Sequence, residues 1–448
     1  MSNQPVITRF APSPTGQMHV GNLRTALHNW LLAQRHGGQF WLRMDDTDAQ
    51  RSTEEYAASI RTDLQWLGLV PAGEKKQSDR FALYEEHFTR LAAEGRVYPC
   101  YETSQELDLK RKVQLGRGLP PVYDRAALTL TDAEKAALEA EGIAPHWRFK
   151  LDHDTPIHWA DMVRGEQNFD PKLLSDPVIR RADGSWLYML PSVIDDIDMG
   201  ITHIVRGEDH VSNTAAQIQM FAALGADAPS FAHEALLVGT EGKLSKRLGS
   251  IGIDSFREAG MEPISLIALL ARIGTSDPVI PVTELSPLIE TFDFAHFGRA
   301  PARFDEQELA MLNQKILHLL DFTAVQSRLP HGMTEAAWHA IRPNIATVAQ
   351  AAGWWAVVTG PLSVPAVAED DRDFIAKAKE ILTTLTFGDD VWKQLTSALK
   401  EQTGRKGKAL FLPLRRALTA QDHGPDMSEF LPLIGQEQAL ERLQAALS

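Results

Sequence analysis

The segment Pro12-Ser13-Pro14-Thr15-Gly16-Gln17-Met18-His19-Val20-Gly21-Asn22 joins a β-prone stretch, Val6 to Phe10, to a helical pattern. A loop feeding a helix N-terminus presents unpaired N–H groups and a partial positive charge, which favours a phosphate chain. Gly21 lets the backbone come close, His19 can donate to an oxygen of an α-phosphate or near a ribose, and Asn22 offers a second polar contact. Taken alone, a histidine in a first turn more often caps or packs the helix. A second segment, Lys243-Leu244-Ser245-Lys246-Arg247 between Gly242 and Gly249, sets three cations on a glycine-bordered loop. Such a loop can follow phosphate oxygens as charge builds on a departing pyrophosphate, where stabilisation confined to the transition state counts most. In isolation it reads as a solvated basic loop.

Both segments need elements to hold them. From His19 onward Leu23, Leu27, Trp30 and Leu31 recur at helical spacing, and Gly37-Gly38 closes the helix. Gln39 to Met44 then reads as a second strand, giving a strand–loop–helix–strand unit that opens a nucleotide-binding α/β sheet. Residues from about Tyr98 to Tyr188 break this rhythm with a basic stretch, Lys110-Arg111-Lys112, and a helix over Asp132 to Glu141. They also predict a hairpin of Val178 to Arg181 with Ser185 to Tyr188. We read this region as an insertion. Strand, helix and strand signals resume at Gly200 to Val205, Ser212 to Ala223 and Ala235 to Val238, and after about Ala310 nearly every segment is helical.

Together, some 220 residues apart and each in the expected context, the two segments resemble the signature pair of class I aminoacyl-tRNA synthetases. Further segments narrow the resemblance to the glutamyl-tRNA synthetases: Arg9-Phe10-Ala11-Pro12-Ser13-Pro14-Thr15-Gly16, Arg24-Thr25-Ala26-Leu27, Arg43-Met44-Asp45-Asp46-Thr47-Asp48, Val193-Ile194-Asp195-Asp196 and Arg206-Gly207-Glu208-Asp209-His210. Gly404-Arg405-Lys406-Gly407-Lys408-Ala409-Leu410-Phe411 and Pro413-Leu414-Arg415-Arg416 extend it to the C-terminal part. Glutaminyl-tRNA synthetases usually carry Glu and Asn in place of Ser13 and Thr15. A small-molecule adenylyltransferase shares the His-x-Gly loop but needs no helical module.

The resemblance implies a Rossmann-type parallel-sheet catalytic domain (1–98 and 189–255) with an inserted α+β domain for the tRNA acceptor end (99–188). A helical linking region (256–310) and an all-α anticodon-binding domain (311–448) follow. It implies ATP-dependent ligation of L-glutamate to the 3′ end of tRNA through a glutamyl-adenylate, with no covalent enzyme intermediate. His19, Lys243 and Lys246 would be catalytic, and Gly21, Asn22, Ser245 and Arg247 would join them around ATP. Arg9, Ala11, Ser13, Asp45, Tyr188, Ser192 and Arg206 would form the glutamate pocket. A substrate with two carboxylates needs fixed cations, and arginine can clamp a carboxylate with paired hydrogen bonds. Arg206 or Arg9 would take the side-chain carboxylate, unless Arg206 pairs with Glu208 or Asp209; Asp45 would face the ammonium. Asp45-Asp46-x-Asp48 can also be read as a Mg²⁺ site, although ATP brings its own Mg²⁺. The cysteine pair that many members use for zinc is replaced by Pro99-Cys100-Tyr101, so ATP with Mg²⁺ is expected and a structural zinc is not. Members differ in charging tRNA-Glu alone or tRNA-Gln as well, and both readings stand at this stage.

Composition bounds these expectations. The 448 residues are 44 % hydrophobic and 23 % charged, the balance of a folded protein. One cysteine excludes an intrachain disulfide, and the strongly apolar stretch Ile264 to Ile273 is too short to span a bilayer. With no signal-peptide pattern at the N-terminus, a cytoplasmic monomer is expected. A net charge of −14 argues at first against a nucleic-acid partner. Residues 311–448, however, carry 14 Lys and Arg against 15 Asp and Glu, and Lys393 to Arg416 hold seven cations against Glu401 alone. That strip suits a phosphate backbone, with Arg405, Lys406, Lys408, Arg415 and Arg416 as candidate tRNA contacts.

Overall fold

The computed structural model describes residues 5–239, 242–243, 252–363 and 366–448. Its first strand, β1 (Ile7–Phe10), buries Thr8, Arg9 and Phe10. Helix α1 (Val20–Arg35) follows, with Leu23, Leu27 and Leu31 fully buried, as the spacing predicts. It ends where Gly37 turns to φ +60°. At Gly38 the chain presses so close to Val6 that a Cβ would strike the Val6 carbonyl. That carbonyl accepts the Gln39 N–H at 2.8 Å, starting β2 (Gln39–Met44) parallel to β1 with Ile7 opposite Gln39. Helix α2 (Glu54–Trp66) leads to β3 (Glu74–Lys76), parallel to β2.

Helix α3 (Phe81–Ala93) precedes a second β system. Strand β4 (Val97–Cys100) is followed by helices α4 (Ser104–Gly116) and α5 (Asp132–Ala140), whose first turns are closed by Thr103/Glu106 and Thr131/Glu134 capping boxes. Strand β5 (His146–Phe149) returns antiparallel to β4, β6 (Ile157–Asp161) and β7 (Gly165–Phe169) form an antiparallel pair, and β8 (Val178–Arg180) pairs with β5. The expected hairpin is only partly formed: Arg181 N–H reaches Ser185 O and Leu187 N–H reaches Ile179 O, both at 2.9 Å, without a second strand. Trp186 is buried in the core and Tyr188 already has helical dihedrals, which diverts the return arm.

Helix α6 (Met189–Asp198), strand β9 (His203–Gly207), helix α7 (Val211–Ala223) and strand β10 (Ser230–Glu234) resume the parallel architecture, β9 beside β10. Strand β9 starts later than the sequence suggests because Gly200, at φ +64°, forms the turn after α6. Strand β10 lies upstream of the predicted Ala235 to Val238, and only β11 (Leu237–Gly239) overlaps that stretch. β12 (Gly242–Lys243) pairs antiparallel with β11, and β13 (Ala302–Phe304) pairs parallel with it. Thr202 joins the two parallel sets, donating its N–H to Ile7 O (2.9 Å) and accepting the Ile7 N–H on Oγ1 (2.8 Å). Asn29 of α1 accepts Thr8 Oγ1 at 2.8 Å and donates to Val205 O at 3.0 Å, so one helix covers the junction. On one side the strands run back through β1, β2 and β3; on the other they run through β9 and β10. Such a reversal is where open parallel sheets hold ligands.

The chain divides into two compact units: residues 1–257, 266–280 and 284–305, and residues 258–265, 281–283 and 306–448. The stretch 256–310 contributes to both. The second unit is helical, with no strand among its described residues. Its long helices include Glu369–Thr384, Val391–Thr403, Lys408–Thr419 and Gln436–Leu447. Arg442, 4 % exposed, donates to Leu418 O (2.8 Å), Val357 O (2.6 Å) and Gly360 O (3.2 Å), satisfying carbonyls that helix ends leave unpaired. No helix of the described residues is long and apolar enough to cross a membrane.

Candidate active site

A cleft of about 1050 Å³ opens at the β1/β9 junction. All seven residues of the expected glutamate pocket line it: Arg9, Ala11, Ser13, Asp45, Tyr188, Ser192 and Arg206. So do His19, Gly21 and Asn22. The loop between β1 and α1 is held open by backbone bonds: Pro12 O accepts Asp45 N–H at 2.9 Å and Pro14 O accepts Thr53 N–H at 3.0 Å.

His19 is the N-cap of α1. Its Nδ1 accepts from Gly21 N–H (3.1 Å) and Asn22 N–H (3.3 Å), and Asn22 Oδ1 accepts the His19 N–H (3.3 Å). This changes the expected picture of the phosphate loop, because two of the helix's free N–H groups and the Asn22 carbonyl are occupied by the cap. The cap also fixes the imidazole. With Nδ1 accepting, the ring proton of a neutral histidine is on Nε2, and burial lowers the His19 pKa, favouring that neutral form. His19 therefore offers the cleft one N–H donor.

Of the cationic loop, Lys243 lies in β12, with its backbone paired to Val238, whereas Ser245, Lys246 and Arg247 fall outside the described residues. The chain beyond them is anchored at the cap: Gly252 bridges His19, and Ile253 N–H reaches Met18 O at 2.9 Å. Both ends of the segment are thus tied to the unit that carries the cleft.

The floor of the cleft is a buried charge lattice. Arg43, 1 % exposed, binds Asp45 through Nε–Oδ1 (2.7 Å) and a second bond (3.1 Å), Asp196 Oδ1 (2.8 Å), and both the carbonyl and hydroxyl of Ser192 (3.3 and 3.2 Å). Arg9 Nε binds the same Asp196 Oδ1 at 2.9 Å. Asp195 accepts from Gln77 (2.9 Å), Arg80 (2.6 Å) and Tyr84 (2.8 Å). Burial pushes the Asp45 carboxyl up and Arg43 pulls it back. Both oxygens of Asp45, the residue expected to face the ammonium, are bonded to Arg43, and each keeps another lone pair. Arg9 likewise arrives with its charge already balanced.

Arg206 differs. It is 9 % exposed, and its hydrogen-bond partners among the described residues are all neutral: His233 Nε2 accepts from Nε at 3.3 Å, while Thr214 Oγ1 (2.6 Å) and Gln217 Oε1 (2.7 Å) accept from one terminal nitrogen. Neither Glu208 nor Asp209 pairs with it; Glu208 binds Arg164 at 2.5 Å, and Asp209 lies 3.7 Å from His210. Burial and the repulsion of Arg9 lower the Arg206 pKa to about 10, so it stays charged at neutral pH. Among the described residues no carboxylate pairs with this buried cation, Asp196 and Asp209 acting on it only from a distance, and such a group lining a cleft can accept an anion. Tyr188, at the start of α6, accepts from the Asn213 amide and closes this side. Asn213, Thr214, Gln217, His233 and Asp161 carry no local motif, and Asp196, although it lies in the Val193-Ile194-Asp195-Asp196 segment, was like them not among the residues expected at the site.

The other expected groups separate. Asp46 accepts from Ser78 N–H (2.8 Å) and Oγ (2.7 Å), and Asp48 pairs with Arg51 at 2.7 Å, so Asp45, Asp46 and Asp48 do not face a common cation. Among the described residues no group of three or more acidic, histidine or cysteine side chains is placed to hold a metal. Cys100 packs with Tyr98, Tyr123 and Ala127, and burial pushes its thiol up to about 11. In the helical unit Lys406 and Lys408 are exposed. Arg405 is instead committed to structure: it pairs with Asp371, donates to Asp370 O (2.6 Å) and covers the Phe374 ring at 4.4 Å. Arg416 pairs with Asp422 at 2.6 Å on the surface. Half-buried Arg415 donates to Pro425 O (3.0 Å) beside a cavity of about 550 Å³ that Trp392 and Phe411 also line.

Residues 5–311 match the family of class I tRNA synthetases for glutamate and glutamine, catalytic domain, and residues 315–447 match an anticodon binding domain. Glutamate–tRNA ligase 1 of Rhizorhabdus wittichii is 66 % identical over 99 % of this chain and 100 % of its own. Glutamate–tRNA ligase 2 of Erythrobacter litoralis is also 66 % identical, over 98 % of each chain. The crystal structure of a glutamate tRNA ligase from Elizabethkingia meningosepticum, in complex with its amino acid, superposes with a TM-score of 0.85 at 27 % identity, covering 99 % of both chains. Matched in both of its parts and over its length, the chain belongs to the glutamate–tRNA ligases of the class I tRNA synthetase family.

Proposed function

We propose that the protein charges tRNA in two steps within this cleft. The α-carboxylate of L-glutamate attacks the α-phosphorus of ATP, forming the mixed anhydride of glutamyl-adenylate as the bond to pyrophosphate breaks. A ribose hydroxyl of the terminal adenosine, the 2′-OH by family resemblance, then attacks the acyl carbon and AMP leaves. Arg206 is the observation that carries the reading, since a charged guanidinium held by neutral acceptors selects a substrate with a second carboxylate. His19 supplies one oriented N–H to the phosphates, and the Lys243 to Arg247 segment, whose first residue lies in β12, supplies the cations. Positioning and charge stabilisation suffice for in-line displacement. The described carboxylates do not assemble a cradle for Mg²⁺, so the ion would come on the phosphates of ATP. Lys406, Lys408 and Arg416 would follow the RNA backbone.

Glutamate-dependent ATP–pyrophosphate exchange, measured with and without tRNA, tests the first step. Lys246→Ala should slow it on the order of 10²-fold, the scale of one lost transition-state donor. Unchanged exchange removes Lys246 from the mechanism. Charging tRNA-Glu and tRNA-Gln transcripts side by side separates a strict enzyme from a relaxed one.

A further inference from the structure

The neutral shell around Arg206 has a second layer. His233, fully buried on β10, points Nδ1 at Asp161 Oδ2 (2.5 Å) and Nε2 at both Arg206 Nε (3.3 Å) and Thr214 Oγ1 (2.7 Å). Asp161 ends β6, and its Oδ1 accepts three backbone N–H groups: Val163 (3.1 Å), Arg164 (3.0 Å) and His233 (3.1 Å). Burial pushes this carboxyl up, but the bond from the His233 ring, followed by the backbone bonds of Arg164 and His233, outweighs it and holds the carboxyl at about 2. An ionised carboxylate at Nδ1 requires a proton there, which leaves Nε2 as a lone pair. Arg206 Nε donates to that lone pair, sharing it with the Thr214 hydroxyl unless the hydroxyl turns to His210 O.

We propose that Asp161 and His233 form a positioning pair: Asp161 fixes the imidazole as an acceptor, and the imidazole orients Arg206 without cancelling its charge, so that the cleft selects a carboxylate over an amide. This rests on the reading that Arg206 receives the side-chain carboxylate of glutamate. A carboxylate in place of His233 would orient the guanidinium equally well but would neutralise it. A histidine free to adopt the other tautomer would turn an N–H toward Arg206 Nε. The pair removes both faults, and it links β6, contributed by the antiparallel β6–β7 pair, to the end of β10.

Asp161→Asn tests this through a near-isosteric change. The three backbone donors keep an oxygen at the Oδ1 position, so the new amide nitrogen faces His233 Nδ1 and forces the proton to Nε2. Thr214 can turn its hydroxyl to His210 O (3.1 Å), but Arg206 Nε loses its acceptor. In exchange assays on the full chain with tRNA present, KM for glutamate should rise roughly 10- to 100-fold, the effect of one buried unsatisfied donor. KM for ATP should stay within about two-fold, and the preference for glutamate over glutamine should narrow. His233→Gln, whose carbonyl can replace the Nε2 lone pair, should retain most of the glutamate preference, whereas His233→Leu should lose it; this pair decides the matter if Asp161→Asn does not fold. A folded Asp161→Asn with unchanged KM, equal losses toward glutamate and ATP, or equal behaviour of the Gln and Leu variants would overturn the proposal. Arg206→Gln keeps the underlying reading separate: if it still activates glutamate well the reading itself fails, and if it alone fails then only the positioning pair is refuted.

Discussion

Asp196 is one carboxylate shared by two buried guanidinium groups. It accepts from Arg9 Nε at 2.9 Å, from Arg9 Nη2 at 3.4 Å and from Arg43 Nη1 at 2.8 Å, and the side chains of Arg9, Arg43 and Asp196 are 6 %, 1 % and 2 % exposed. Asp196→Ala would remove the only ion-pair partner of Arg9 among the described residues and one of those serving Arg43. Removing one partner of a buried ion pair costs about 3–5 kcal/mol, because the remaining charge is neither solvated nor paired. Arg43 keeps Asp45 at 2.7 Å, which limits the loss to the scale of one pair rather than two. At roughly 2 °C per kcal/mol for a large unit, the melting temperature should fall by about 6–10 °C. A chain of two compact units need not unfold in one step, so calorimetry is the suitable assay. The transition of the unit carrying the cleft should move while that of the helical unit stays in place. If Asp196→Ala melted within about 2 °C of the parent, the lattice would not be the stabilising element argued for here.

Three further outcomes follow from the same geometry. His19→Asn should keep the α1 cap, since asparagine is a strong N-cap, and preserve stability, while His19→Ala should cost about 1 kcal/mol; both should lose pyrophosphate exchange on the order of 10²-fold, and retained exchange in His19→Asn would show that the histidine only caps. Cys100, buried with its thiol pushed up to about 11, should resist alkylation at pH 8 in the folded protein and react fully in denaturant; rapid labelling of the native chain would contradict that packing. Asp161 has a folded pKa of about 2, below its ordinary 3.8, so its contribution to stability is fully present above the ordinary value and is lost as pH falls through the folded one. The gap in urea midpoint between the parent and Asp161→Asn should therefore be the same at pH 7 and 5 and narrower at pH 3, and a gap constant over that range would refute the assigned pKa.

What could be read in the sequence is what is local. The α1 periodicity of Leu23, Leu27 and Leu31 needs only its own turn spacing, and the helix appears where that spacing puts it. The residues expected around glutamate line one cleft, because resemblance carries positions along with chemistry. The support behind Arg206 could not be read this way. Asp161, Thr214, Gln217 and His233 come from β6, α7 and β10, and only the tertiary topology brings their side chains together. Strand β10 escaped notice for a related reason: Ser-Phe-Ala-His-Glu lacks a strand's apolar pattern because His233 and Glu234 are buried polar groups, Glu234 holding His28. For His19 the sequence allows both roles, since capping and phosphate contact call for the same residue at the same place, and the geometry shows the cap.

The contrast between the two arginine environments bears on how this pocket can change over evolutionary time. Arg9, Arg43, Asp45, Asp195, Asp196 and Arg80 form one chain of paired charges, and altering any one strands another. They can drift only in concert. Arg206 is held by neutral groups among the described residues, so its replacement leaves no paired anion behind, only the acceptors of His233, Thr214 and Gln217 to be served again. The fold keeps its interlocked charges beneath the cleft and its singly held one on the cleft wall, so a new side-chain preference at Arg206 asks for new hydrogen bonds there and not for a new balance of charge.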